Sequence, residues 1–187
     1  MGAKEIEERA LYYFAEYGYE RTSLSIIAED IGIKKQSVYS HFKSKEDLFR
    51  CAFERALAEE YEFAKDFFSQ EKDLFLLLDE FIMVMKAGFL STEYTGKKFI
   101  LRNSFMPPVS FKEEVLEKAV EYFNYLEDEV CRLFIQEGYP EEEARQNAQA
   151  YITILDGLMT GLVYGNEQRF DRRLAAIWRL VQFKKTI

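Results

Sequence analysis

Cysteine is all but missing from this chain. Cys51 and Cys131 are the only two in 187 residues, with no CxxC or Cys/His spacing around either. That argues against a disulfide scaffold and a zinc site, and it fits a reducing cytoplasm. Histidine is scarcer still, His41 being the only one, and no glycine-rich phosphate loop is present. A nucleophile-and-base centre or a metal cluster has little to be built from, so neither cofactor nor metal is expected. Only three prolines and nine glycines interrupt the chain, which leaves long helices open to it. No stretch approaches the ~18 consecutive apolar residues of a membrane-spanning helix. Met1 to Arg9 becomes charged almost at once, unlike a signal peptide. No membrane partner is expected, and the cytoplasm is the expected compartment.

Aromatic residues are abundant: 17 Phe and 12 Tyr within a hydrophobic fraction of 48%, ample material for a core. The net charge of −8 looks wrong for a nucleic-acid binder, because phosphates attract cations. Its distribution answers the objection. Residues 1–50 hold eight Lys/Arg and nine Asp/Glu, so the acid excess lies almost wholly in the remainder. From Lys34 to Lys45 there are four lysines, one histidine and no acid. A local basic face on an acidic body can bind nucleic acid while the body discourages non-specific adhesion.

Periodicity predicts helices throughout. Ile6, Ala10, Tyr13, Phe14 and Tyr17 share a face, and Gly18 is a terminator. Thr22-Ser23 offers N-caps for a short helix carrying Leu24, Ile27, Ala28 and Ile31, which Gly32 stops. A third short helix is predicted over 35–41, and a fourth from Ser44 to about Phe67, with Glu46 and Asp47 at its positive end. Further helices follow: one with the stripe Leu74 to Met85, one over 97–105, and a long one opened by a capping box at Ser110–Glu113 and closed by Gly138. The last two are predicted from Pro140 to Tyr164 and over 171–184. The expected fold is all-α: a three-helix head, residues 1–47, joined to a helical body, residues 48–187.

Residues 22–48 read TSLSIIAEDIGIKKQSVYSHFKSKEDL. Two short helices around a glycine turn form a helix-turn-helix, whose second helix enters the major groove. Ile27, Ala28, Ile31, Val38 and Phe42 supply the seam, while Lys34, Lys35, Gln36, Ser37 and Tyr39 project where base edges and phosphates would lie. With Ser23-Leu24, Ile27-Ala28, Gly32-Ile33, Val38-Tyr39, His41-Phe42 and Lys45 with Leu48, the segment closely resembles the TetR family of transcriptional regulators. The resemblance implies a homodimeric repressor on double-stranded operator DNA, released by a small-molecule effector. It places Tyr39, His41, Lys45 and Ser23 or Thr22 on phosphates, and Lys34, Lys35, Gln36 and Ser37 on bases or backbone. For His41, filling the seam beside Phe42 is the competing role. Lys34 stands where the family has Ser or Thr, which removes a capping side chain and leaves Ser37 as a substitute.

The resemblance also implies a ligand pocket in the body, expected to be apolar or planar in its taste. Phe63, Phe67, Phe81, Met85, Phe105, Tyr122 and Phe123 are its candidate lining, with core packing as the competing role for each. Gly157, Gly161 and Gly165 recur at four-residue spacing in the penultimate helix, which suggests a close helix approach. The resemblance makes that approach a subunit interface formed by the last two helices, with Gly157, Leu158, Gly161, Leu162, Ile177, Trp178 and Val181 in it. Packing inside one subunit is the alternative. Asp156, lying in the same apolar run, is left to pair with Arg179 or to face water. An enzyme built on scattered acids, or a helical partner-binding module, are the rival functions; nothing in the sequence favours the first, and the lysine cluster speaks against the second.

Overall fold

Gly18, Gly32 and Gly138 take positive φ angles of 83°, 71° and 89°, and each closes a helix where a side chain would strain the backbone. The computed structural model describes residues 2–91 and 95–184, with side chains described through Arg179. The described residues form helices and connecting turns without strands. They divide into two compact units, Met1–Ser69 with Ala87–Tyr122, and Gln70–Lys86 with Phe123–Ile187.

The first unit starts with α1 (Ala3–Tyr17), α2 (Leu24–Asp30), α3 (Lys35–Tyr39) and α4 (Lys45–Phe68). Two of these are capped as the sequence demands: Ser23 Oγ accepts from the Ile26 amide at 3.2 Å, and Ser44 Oγ from the Asp47 amide at 3.1 Å. Asp47 reciprocates by accepting from the Lys43 amide at 2.8 Å. The unit also holds the end of α5 (Leu74–Leu90), all of α6 (Gly96–Phe105) and the start of α7 (Lys112–Gln136). Its centre is aromatic. Phe49 of α4 meets Phe14 of α1 at 5.3 Å, Phe99 of α6 at 5.5 Å and Phe111 at 4.7 Å.

Phe111 explains why the expected capping box at Ser110 does not form. Pro108 to Phe111 tightens into a 3-10 turn, Val109–Phe111, with the Phe111 amide donating to the Pro108 carbonyl at 3.0 Å. That turn buries Phe111 on Phe49 and Tyr19. Burying so large a ring outweighs one capping hydrogen bond.

The second unit packs the front of α5 and the rear of α7 with α8 (Glu141–Val163) and α9 (Glu167–Lys184). Gly138 ends α7, its amide and that of Tyr139 donating to Ile135 and Phe134. Pro140 and Glu141 to Glu143 start α8 as expected. Helix α9 begins four residues earlier than expected, because Asn166 Oδ1 accepts from the Arg169 amide at 2.9 Å. Leu77, Phe81, Met85, Leu126, Val130 and Leu155 form the core. Tyr151 donates to the Leu78 carbonyl at 2.8 Å, and Lys86 pairs with Glu167 at 2.9 Å and Asp171 at 2.7 Å.

Candidate nucleic-acid interface

The α2–α3 turn is fixed by backbone chemistry. The Gly32 amide donates to Glu29 at 3.0 Å and the Ile33 amide to Ala28 at 2.9 Å, a Schellman pairing that the positive φ of Gly32 permits. Val38 and Phe42 drive α3 onto α2, with Ile27 and Ala28 buried beneath them. Ile31 is half-buried, at the edge of this seam. Helix α3 stops at Tyr39, short of the expected His41, because the His41 and Phe42 amides both turn back to the Val38 carbonyl. No side chain caps its start, neither Lys34 nor the expected substitute Ser37.

Burying Val38 leaves the rest of α3 outward. Lys34, Lys35, Gln36, Ser37, Tyr39, Ser40 and His41 are all exposed. His41 is therefore on the surface and does not fill the seam. Lys35 Nζ stands 5.8 Å over the Tyr39 ring, and Ser40 Oγ donates to the Ser37 carbonyl at 2.7 Å. Lys34, Lys35 and Lys43 form no ion pair among the described residues. The face thus presents uncommitted cations with amide and hydroxyl groups between them, which suits a phosphate backbone and base edges. Lys43 belongs to it and was overlooked in the sequence, although it lies in the same acid-free run.

Two expected phosphate ligands are turned inward instead. Thr22 is buried, and its hydroxyl hydrogen-bonds the Gly18 and Tyr13 carbonyls at 2.8 and 3.2 Å. Lys45 donates to the Tyr19 and Thr22 carbonyls at 3.0 and 3.1 Å and stacks 4.0 Å over the Tyr19 ring. The Tyr19 hydroxyl in turn donates to Glu46 at 2.8 Å. The Glu46 carboxylate, held by its own backbone amide, Ser44 and Tyr19, is lowered to about 2. Ser23, half-buried, keeps its hydroxyl proton for an outside partner.

Residues 6–52 match the family described as bacterial regulatory proteins, tetR family. Over those residues, about a quarter of its length, the chain is similar to the TetR family. It is 29% identical over 99 residues to the HTH-type transcriptional repressor ComR of Escherichia coli K12, a match covering 51% of this chain and 46% of ComR. The match therefore spans less than half of that relative. Across 96% of both chains, the fold is shared with a TetR transcriptional regulator from Chloroflexus aurantiacus J-10-FL (TM-score 0.72, 20% identity). A Saccharomonospora viridis regulator, solved in complex with choline, shares it over 96% of this chain and 95% of its own (TM-score 0.69, 16% identity). At these identities the two structures establish a common TetR fold.

The aromatic residues expected around a ligand fall into two groups. Phe81, Met85 and Tyr122 are almost completely buried and Phe67 nearly so, while Phe63, Phe105 and Phe123 are half-buried. A cavity of about 310 Å³ in the first unit is lined by Phe14, Tyr17, Arg102, Asn103 and Met106 among others, and by none of those seven. The most unusual chemistry of the body went unread in the sequence. Glu60 of α4 and Lys97 of α6 form a buried ion pair at 2.5 Å. Burial raises the Glu60 carboxyl and lowers the Lys97 ammonium. The signal was there in part: Glu60 interrupts an apolar face at the spacing Ala56, Glu60, Ala64.

The small-residue face of α8 is turned toward its own chain. A Cβ on Gly161 would lie 3.5 Å from the Phe170 backbone of α9, and Leu158, Gly161 and Leu162 are buried within the subunit. Gly165 lies beyond α8, in the tight turn into α9, where a Cβ would stand 2.6 Å from the Gly161 carbonyl. Of the seven interface candidates, Gly157 and Trp178 are exposed and Ile177 is half-exposed. Val181 falls outside the residues whose side chains are described. Asp156 does not pair with Arg179; its Oδ1 is buried without a partner, and desolvation raises the carboxyl to about 6. Among the described residues no cluster of His, Cys, Asp and Glu could hold a metal, and no helix is long and apolar enough to cross a membrane.

Proposed function

We propose that this chain is a homodimeric transcriptional regulator that binds double-stranded operator DNA and leaves it when a small molecule binds the helical body. One observation carries the reading: α3, held at a fixed angle by a buried seam, turns only uncommitted cations and hydrogen-bonding groups outward. In the head, residues 1–47, Lys35, Gln36 and Ser37 read base edges. Ser23, Lys34, Tyr39, His41 and Lys43 contact the backbone. Lys45 and Thr22 act from behind, holding the α1–α2 loop that presents Ser23. The body, residues 48–187, takes the effector and pairs with a second copy through exposed parts of α8 and α9, Trp178 included. The chromosome places this work in the cytoplasm. Named repressors among its relatives support repression, and nothing in the chain calls for catalysis.

The test is selection of bound sequences from random double-stranded DNA, followed by gel shifts across a salt series. A two-fold symmetric site with half-sites about one helical turn apart or somewhat more is the expected product. Binding without sequence preference, or no binding at low salt, overturns the proposal.

A further inference from the structure

Among the described residues Glu60–Lys97 is the only ion pair with both side chains buried, at 1% and 5% exposure. Such pairs are poor stabilisers, since two desolvated ions often hold a fold no better than apolar residues of the same size. This one is also incomplete. Glu60 Oε2 accepts from Lys97, while Oε1 is buried with no donor at all. An unmet carboxylate oxygen in a dry interior is costly, and a ligand N–H would relieve it.

The cation is held by more than the carboxylate. Lys97 Nζ lies 3.5 Å over the Phe63 ring, so a charged wall and a π face converge on one position. Room for its stem has been made on α5: a Cβ on Gly88 would fall 2.3 Å from Lys97 Cδ. The occupant is thus a flexible, unbranched chain laid along a glycine, able to withdraw without moving a backbone. We propose that Glu60 and Phe63 form the recognition site for a small organic cation bearing an N–H donor, and that Lys97 is the built-in cation that holds this site until the ligand displaces it. The ligand would satisfy both carboxylate oxygens, which one lysine in this geometry does not.

Displacement has a mechanical result, and here the inference rests on the regulator reading above. Helix α6 is tied to the head by Lys98, which reaches Glu16 at 2.5 Å, and by Arg102, which donates to the Ala15 and Glu16 carbonyls. Helix α4 follows directly from the DNA-reading turn. Lys97–Glu60 is a polar link between those two helices, which also meet where Phe49 and Phe53 pack on Phe99, and losing it loosens α4 against α6 at the Glu60 end while α6 stays on α1.

The experiment uses the full-length protein, benzylamine as probe, benzoate as its anionic counterpart, and the DNA selected above. Calorimetry should show benzylamine binding and benzoate not binding, and gel shifts should show benzylamine releasing DNA. Lys97→Met should tighten benzylamine binding by about tenfold, the factor expected when a site open a tenth of the time becomes fully open. Because that variant leaves a lone buried carboxylate and could fail to fold, Glu60→Gln/Lys97→Met is made beside it. The double variant should show a helical spectrum and no benzylamine binding. Benzoate binding, undiminished benzylamine binding by the double variant, or no binding by wild type each overturns the proposal. So does benzylamine binding that leaves DNA affinity untouched. If wild type binds no DNA, the regulator reading fails instead, and calorimetry still decides the cation site.

Discussion

Lys45→Ala separates two ways in which a lysine can serve a DNA-binding head. In the structure its ammonium supports two carbonyls, at 3.0 and 3.1 Å, and lies 4.0 Å over Tyr19. A hydrogen bond to a charged group contributes about 1.5–3 kcal/mol, and a surface cation–π contact about 0.5–1 kcal/mol. Both carbonyls are part-buried and regain water after truncation, so the expected loss is about 2–3 kcal/mol in total. At about 2–4 °C per kcal/mol for a chain of this size, Tm should fall by roughly 4–12 °C. A lysine that neutralises a phosphate does something else: it adds about 0.9 to the salt slope, or about 2 per dimer. Lys45→Ala should therefore lower Tm and weaken DNA binding by the same factor at every salt concentration, leaving the slope intact. Lys34→Ala, an exposed lysine placed on the backbone, should do the reverse, with Tm unchanged and the slope reduced by about 2. Thermal melts and gel shifts from 50 to about 200 mM salt measure both quantities. If Lys45→Ala melts like wild type and loses about 2 from the slope, the loop-holding role is refuted and Lys45 belongs on a phosphate.

Gly161→Ala should stabilise the chain by about 0.8–1 kcal/mol, because its Cβ meets Phe170 at an ordinary 3.5 Å while helix propensity improves. Gly161→Leu should cost about 1–3 kcal/mol by overpacking α9. Denaturation of the subunit reads both, and a Leu variant of wild-type stability that no longer dimerises would put Gly161 at the subunit contact after all. Asp156, raised from 3.8 to about 6, keeps its proton longer when folded than when unfolded. Stability should accordingly fall as pH rises through that window and stay level above it. Asp156→Asn should remove the slope and stabilise by about 1–2 kcal/mol at pH 7, allowing for partial exposure; an equal gain at pH 4 would show that desolvation of the charge is not the cause. Phe111→Ala should cost about 3–5 kcal/mol by emptying the ring site on Phe49, and a loss under 1 kcal/mol in urea titration would remove Phe111 from the core.

The head could be read from the chain because its determinants are local. Ser23, Gly32, Val38 and Ser44 act on neighbours within a few residues, so helix starts, the turn and the outward face of α3 follow from spacing. Even there, the inward turn of Thr22 and Lys45 was hidden, since it depends on the carbonyls of a loop more than twenty residues from Lys45. The body was legible as helices and not as a site. Ser110 looks like a cap until Phe111 finds Phe49, and Asn166 passes for a loop residue until its carboxamide meets an amide three residues on. Glu60 and Lys97 are separated by 37 residues, and neither helix alone announces the other. Glycine spacing in α8 was real at Gly161, but spacing cannot say whether the approaching backbone belongs to the same chain.

Helix α4 runs 24 residues without a break, from the cap at Ser44 to Phe68. At 1.5 Å per residue it is a rod about 36 Å long, and a rod multiplies small angles. Rotating it by about 5° about the Phe68 end carries the Lys45 end through roughly 3 Å. In a two-fold dimer the opposite head moves the other way, so the separation of the recognition helices changes by about 6 Å. Successive base pairs are about 3.4 Å apart. If two copies pair on operator DNA as proposed, a tilt of only about 5° is therefore enough to put two heads out of step with their half-sites by nearly two base pairs.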